Sequence, residues 1–98
     1  MPRSAAVHPG EILLEEFLKP LGITPTRLAM ELRVPANRIL AIVDGERSVT
    51  ADTALRLARA FNTSAQFWLN LQTRYDLDVI DEAASDRIEA EVRPLIPA

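Results

Sequence analysis

The apolar residues of this chain return every three to four positions in one short segment after another, and Pro, Gly or Asn closes nearly every segment before the next begins. The two-residue alternation of a half-buried strand never persists beyond a few residues. Such punctuation restricts the chain to an all-α fold of short helices joined by short connections. With 98 residues and no composition shift typical of a linker, residues 1–98 read as a single domain.

The spacing predicts a first helix from about Pro9 to Lys19, with Leu13, Leu14, Phe17, Leu18 and Leu21 on its apolar face and Pro20 and Gly22 as its stop. Thr24 caps a second helix with Pro25 at its first position, and Leu28, Ala29 and Leu32 fall on one side. After Arg33-Val34, Pro35 opens a third helix that turns Ile39, Ile42 and Val43 inward and ends at Asp44-Gly45. Thr50 caps a fourth helix with Leu55, Leu57, Ala58 and Phe61 as its apolar residues. Asn62-Thr63 breaks the pattern, and Ser64 caps a fifth helix bearing Phe67, Trp68, Leu71 and Tyr75. From about 76 to 93, Val79, Ile80, Ala83, Ala84, Ile88 and Val92 continue a stripe inside acidic flanks, which predicts an additional C-terminal helix ended by Pro94 and Pro97.

The pair of short helices between about 24 and 45 is the informative feature. A small residue in the middle of the first, Ala29, allows a steep close crossing, and Val34, Ile39 and Ile42 supply the apolar lock of a helix-turn-helix. The second helix of such a unit stands proud of the surface, able to enter a major groove. With Ile39 and Ile42 inward, Asn37 and Ala41 point most nearly the opposite way, toward base edges. Asn suits adenine and Ala a thymine methyl. Ala36 and Arg38 flank them. Thr24, Thr26 and Arg27 at the second helix N-terminus, and Arg47 and Ser48 beyond the third helix, are candidates for phosphate. The same pattern also suits a helical module that binds only protein.

Net charge initially argues against nucleic acid, being −3 with a pI near 5.1. The sum conceals two regions. Up to Tyr75 there are nine bases against seven acids, and beyond it two bases against seven acids. The chain is thus mildly basic where the helix-turn-helix lies and acidic in its tail, so an acidic pI does not exclude DNA. Ten of the eleven bases are arginine, whose planar fork suits phosphate and guanine edges, as would also follow from GC-rich coding. The chain has no cysteine, which excludes disulfides, thiolate metal sites and cysteine nucleophiles. Its longest apolar run, residues 39–43, is far too short for a membrane span, and no apolar core of a secretory signal precedes His8.

His8-Pro9-Gly10-Glu11, Glu15-Glu16-Phe17-Leu18, Pro20-Leu21-Gly22-Ile23-Thr24, Leu28-Ala29, Gly45-Glu46-Arg47, Asp52 through Ala58, and Phe67-Trp68-Leu69-Asn70-Leu71-Gln72 together resemble the HigA-type antitoxins of the lambda-repressor-like (Xre) helix-turn-helix family. The resemblance spans about residues 7–77. It implies a bacterial cytoplasmic protein with a five-helix DNA-binding domain that forms a homodimer, binds double-stranded operator DNA and represses its own operon. It further implies neutralisation of a cognate HigB-type ribonuclease toxin, an mRNA interferase of the RelE superfamily, with no cofactor and no catalysis. A free-standing Xre-type regulator without a toxin is the alternative within the same fold. Two positions depart from the family pattern: Arg33 stands where the turn often has Gly, and Pro35 where a Ser or Thr often caps the recognition helix.

Other groupings are weaker. His8, Glu11 and Glu15 share a helix face but lack a second His or Cys to complete a metal shell, and His8 better fits the helix entry. Glu15 and Glu16 diverge on the helix and read as a solvated face, not an acid/base pair. Phe67, Trp68, Leu71 and Tyr75 read as core or as the seam of a dimer, in preference to a base-stacking platform. The acidic tail either completes the dimer or meets a basic toxin.

Overall fold

The structure is a computed structural model that describes residues 6–97. Residues 1–5, with Arg3 among them, and Ala98 lie outside the described residues. Five helices and no strand make up the described chain. The first, α1, is continuous but mixed: α-helical over Pro9–Ile12, π-helical over Leu13–Leu18, and α-helical again over Lys19–Leu21. Then come α2 (Pro25–Leu32), α3 (Ala36–Val43), α4 (Ala51–Phe61) and α5 (Ala65–Glu91).

Local chemistry explains each start. The Nδ1 of His8 accepts the Gly10 N–H at 2.9 Å, with Pro9 at the first helical position where a missing N–H costs nothing. Thr24 Oγ1 accepts the Arg27 N–H at 3.1 Å, Thr50 Oγ1 the Thr53 N–H at 3.4 Å, and Ser64 Oγ the Phe67 N–H at 3.0 Å. Pro35 occupies the cap position itself and not the first turn of α3, so no side chain satisfies that terminus. Left-handed residues end α1, α2 and α4: Gly22, Arg33 at φ 61° and Asn62 at φ 57°. Arg33 therefore adopts the conformation for which Gly is favoured, while the Val34 N–H returns to the Ala29 carbonyl at 3.1 Å and closes the turn.

Four expectations need correction. Pro20 does not stop α1: it lies within the last turn, and Gly22 ends the helix. The π-helical turn ahead of it widens the backbone, with the Lys19 N–H reaching back to the Leu14 carbonyl, and so relieves the clash of the proline ring with the carbonyl of Glu16. The widening also rotates everything after it, which is why Leu13 and Leu18, five apart, are both buried whereas Leu21 is 58% exposed. On α4, Leu55 is 63% exposed, and Thr53 and Ala54 take the inward positions beside Leu57. Finally, the acidic stretch is helical but is the distal half of α5, with no break near Asp76, because residues 65–93 contain neither Gly nor Pro.

The core gathers Leu13, Leu18, Leu28, Ala29, Leu32, Ile39, Ile42, Val49, Ala54, Leu57 and Trp68. Trp68 is fully buried among Phe17, Phe61 and Phe67, with ring centroids 5.1, 6.4 and 5.0 Å away, and its Nε1 donates to Thr63 Oγ1 at 2.9 Å. Among the described residues nothing beyond Gln72 is buried, so the second half of α5 extends away from the core.

Candidate nucleic-acid interface

The α2–α3 unit is held from beneath. Ala29, buried and small, lets the two helices approach, and Ile39 and Ile42 are fully buried under α3. Gly10 abuts the end of α3 so closely that a β-carbon there would overlap the Ile42 carbonyl. A chain of polar contacts fixes the unit from the side: Arg38 Nη1 and Arg56 Nε both donate to Asp52 Oδ2 at 2.9 Å, and Arg56 Nη1 caps the Leu32 carbonyl at the end of α2 at 2.8 Å. The two guanidiniums hold the Asp52 carboxyl below its usual range, Arg56 contributing most.

The predicted contact residues separate into groups. Asn37 is exposed on the outward face of α3 and Ala41 is half-buried beside it. Ala36 is half-buried at the side of α3, about 60° from Ile39, and packs against the core. Arg38 is turned sideways to Asp52. Thr24 and Thr26 are exposed at the start of α2, where Arg27 pairs with Glu31 at 3.4 Å. Arg47 and Ser48 are exposed on the loop between α3 and α4, and the Arg47 guanidinium makes no ion pair among the described residues.

That loop is anchored by residues that sequence reading did not single out. Gln72, buried on α5, accepts the Val49 N–H through Oε1 at 2.7 Å and donates to Asp76 Oδ1 at 2.9 Å. Its signal was the terminal Gln of the Trp-Leu-Asn-Leu-Gln run, a polar residue four positions from a buried tryptophan. Leu40 was also missed. It is 42% exposed on the outward face of α3 and could have been found from the same angular count that selected Asn37 and Ala41.

His8 performs the helix-entry role expected of it. Its ring lies edge-on to Tyr75, centroids 4.8 Å apart, and sits close to the backbone of Arg47, so it lies where α1, the Arg47 loop and α5 meet. Burial lowers its pKa from the ordinary value, outweighing the Asp76 charge and the Arg47 backbone, which raise it. The unfolded chain therefore binds this proton more readily, and the His8 contribution is complete above the unfolded value of 6.5 and fades as pH falls through the lower folded value. Denaturation midpoints should drop between pH 7.5 and 5. The drop should be shallower in His8→Asn, which keeps an acceptor for the Gly10 N–H but cannot protonate. An unchanged slope in the variant would remove His8 as the titrating group.

The four residues proposed for a dimer seam do not share one exposed surface. Trp68 is internal, Tyr75 is partly covered by His8, and Leu71 is half-buried at a shallow depression lined by Val7, Ile12, Arg74 and Asp78. Phe67 keeps an exposed edge.

Residues 14–68, more than half of the sequence, match the helix-turn-helix family. The chain belongs to that family. Virulence-associated protein I of Dichelobacter nodosus is 54% identical over 77 residues, 79% of this chain and 71% of the relative. Antitoxin HigA-1 of Vibrio cholerae is 41% identical over 71 residues, 72% of this chain and 67% of the relative. Among solved structures, the Pseudomonas aeruginosa antitoxin HigA with higBA promoter superposes with a TM-score of 0.89 at 47% identity, covering 93% of this chain and 99% of that one. The resemblance to HigA-type antitoxins and the five-helix fold it implied are thus borne out, and the relatives are named as HTH-type regulators, virulence-associated proteins and an antitoxin. No helix among the described residues is long and apolar enough to cross a membrane.

Proposed function

We propose that this protein is an operator-binding antitoxin: a homodimer that inserts α3 into the major groove of its own promoter, represses its operon and neutralises a HigB-type ribonuclease of the RelE superfamily. The observation that carries the DNA half of the reading is the outward face of α3 in a chain that superposes along nearly its full length on an antitoxin in a structure with promoter DNA. Asn37 and Ala41 meet base edges. Thr24, Thr26, Arg27, Arg47 and Ser48 meet phosphates, and Arg38 chiefly positions α3 through Asp52.

The dimer must hold two copies of α3 about 34 Å apart. Its seam takes Phe67, Leu71 and the exposed edge of Tyr75, with the start of the acidic half of α5. Trp68, fully buried, belongs to the core of its own protomer. The acid excess beyond Tyr75 suits a basic, RNA-binding toxin.

Two variants test the DNA roles. Asn37→Ala should reduce discrimination between the operator and unrelated DNA by about 1–3 kcal/mol, whereas Arg47→Ala should weaken both alike. Equal effects of the two on both DNAs would reject the assignment of Asn37 to bases. Co-expression with the adjacent gene product, followed by mass measurement and growth rescue, tests the protein half. Loss of dimer mass or of the co-purified product on deleting residues 79–98 supports a role for distal α5, and no change in either rejects it.

A further inference from the structure

The outward ridge of α3 is chemically unusual for a surface expected to meet DNA, because it carries no free cation. Taking Ile39 and Ile42 as inward, Asn37 lies almost opposite, and Leu40 and Ala41 fall about 50° to either side of the outward direction. Asp44 follows one turn on. The ridge therefore presents an amide, an isobutyl group, a methyl group and a carboxylate, while Arg38 is drawn aside to Asp52 at 2.9 Å. Leu40 takes no part in the core, although Ile39 before it is fully buried there. A single exposed leucine is ordinary on a protein surface. This one lies one turn on from Asn37 and next to Ala41, on the outward side of α3.

We propose that Leu40 is a specificity-determining residue that reads thymine through its C5-methyl group, so that the α3 ridge as a whole selects A·T pairs. The proposal rests on the operator-binding reading above. Thymine is the one base with an apolar group in the major groove, and Asn pairs with the donor and acceptor of adenine. A guanine-reading arginine is absent from the ridge itself. Contact between Leu40 and a thymine methyl removes both from water. The gain corresponds to about one buried methyl group, or about fourfold in affinity for each half-site.

The test is a double-mutant cycle on the full chain. A DNA fragment from upstream of its own gene is prepared with thymine and, separately, with uracil in every thymine position. Fluorescence anisotropy at fixed salt then compares wild type with Leu40→Ala and with Leu40→Gln, which keeps length but is polar. Wild type should lose more affinity on uracil than either variant does, the difference amounting to about fourfold per half-site. Any contact of Ala41 and any change of DNA shape affect all three proteins and cancel. A uracil penalty equal in all three overturns the proposal, as does a change in solution mass in the variants, which would assign Leu40 to a protein interface. Failure of wild type to bind the thymine fragment overturns the operator reading itself, a result distinct from an equal penalty. Denaturation midpoints of the variants should match wild type, since the side chain lies outside the core.

Discussion

Trp68→Ala should lower unfolding free energy by about 4 kcal/mol, a large part of the stability of a chain this size. The indole is fully enclosed by Phe17, Phe61 and Phe67, so truncation leaves a cavity that rigid helices close poorly. It also leaves Thr63 without the indole donor. Because the ring lies inside one protomer, the loss should be the same at low and high protein concentration. A loss that shrinks as concentration rises would instead return Trp68 to the dimer seam. Trp68→Phe keeps most of the packing and should cost less. Urea titrations at two concentrations measure all of these.

Gly10→Ala is expected to destabilise by about 3 kcal/mol, even though alanine is the better helix former by about 1 kcal/mol. The two effects oppose each other, and the contact decides. An added β-carbon overlaps the Ile42 carbonyl and approaches Val43 Cα, both backbone atoms that cannot swing aside as a side-chain tip would. α1 must therefore shift against the end of α3, weakening the core and tilting the outward ridge together. A denaturation midpoint equal to or above wild type would show that the interface yields cheaply, and operator affinity should fall along with stability. The Gly of the His-Pro-Gly-Glu opening thus owes its place to a packing distance between α1 and α3.

The parts of this fold legible in the sequence are those governed by local chemistry. Thr24, Thr50 and Ser64 cap helices where their positions before apolar runs predicted, and Asn62 and Gly45 turn the chain where their tolerance of positive φ allows. Misplaced residues share a different origin. Leu21 points outward because a π-helical turn changes the angular count, and a straight-helix wheel assigns it inward. Leu55 is exposed because the smaller Thr53 and Ala54 fit the close approach of α4 to the rest of the core. In the candidate interface, the 3.6-residue period is enough to place Asn37 outward, while Ala41 is half-buried beside it. The engagement of Arg38 with Asp52, fourteen residues away, and of Gln72 with Val49 depends on tertiary proximity that no local pattern carries. The acidic half of α5 was recognised as helical, but its continuity with the first half was hidden by the change in charge at Tyr75, which alters surface character without breaking a helix.

Operator recognition is the central claim, and anisotropy titration of the wild-type chain on the DNA upstream of its own gene, against a scrambled fragment, over a series of salt concentrations tests it most directly. Few arginines on the outward surface are free of acidic partners, so binding to scrambled DNA should be weak and lost early as salt rises, while the upstream fragment should retain salt-sensitive binding with two chains per site. Equal affinities for the two fragments at every salt concentration, or no salt-sensitive binding to either, would contradict it.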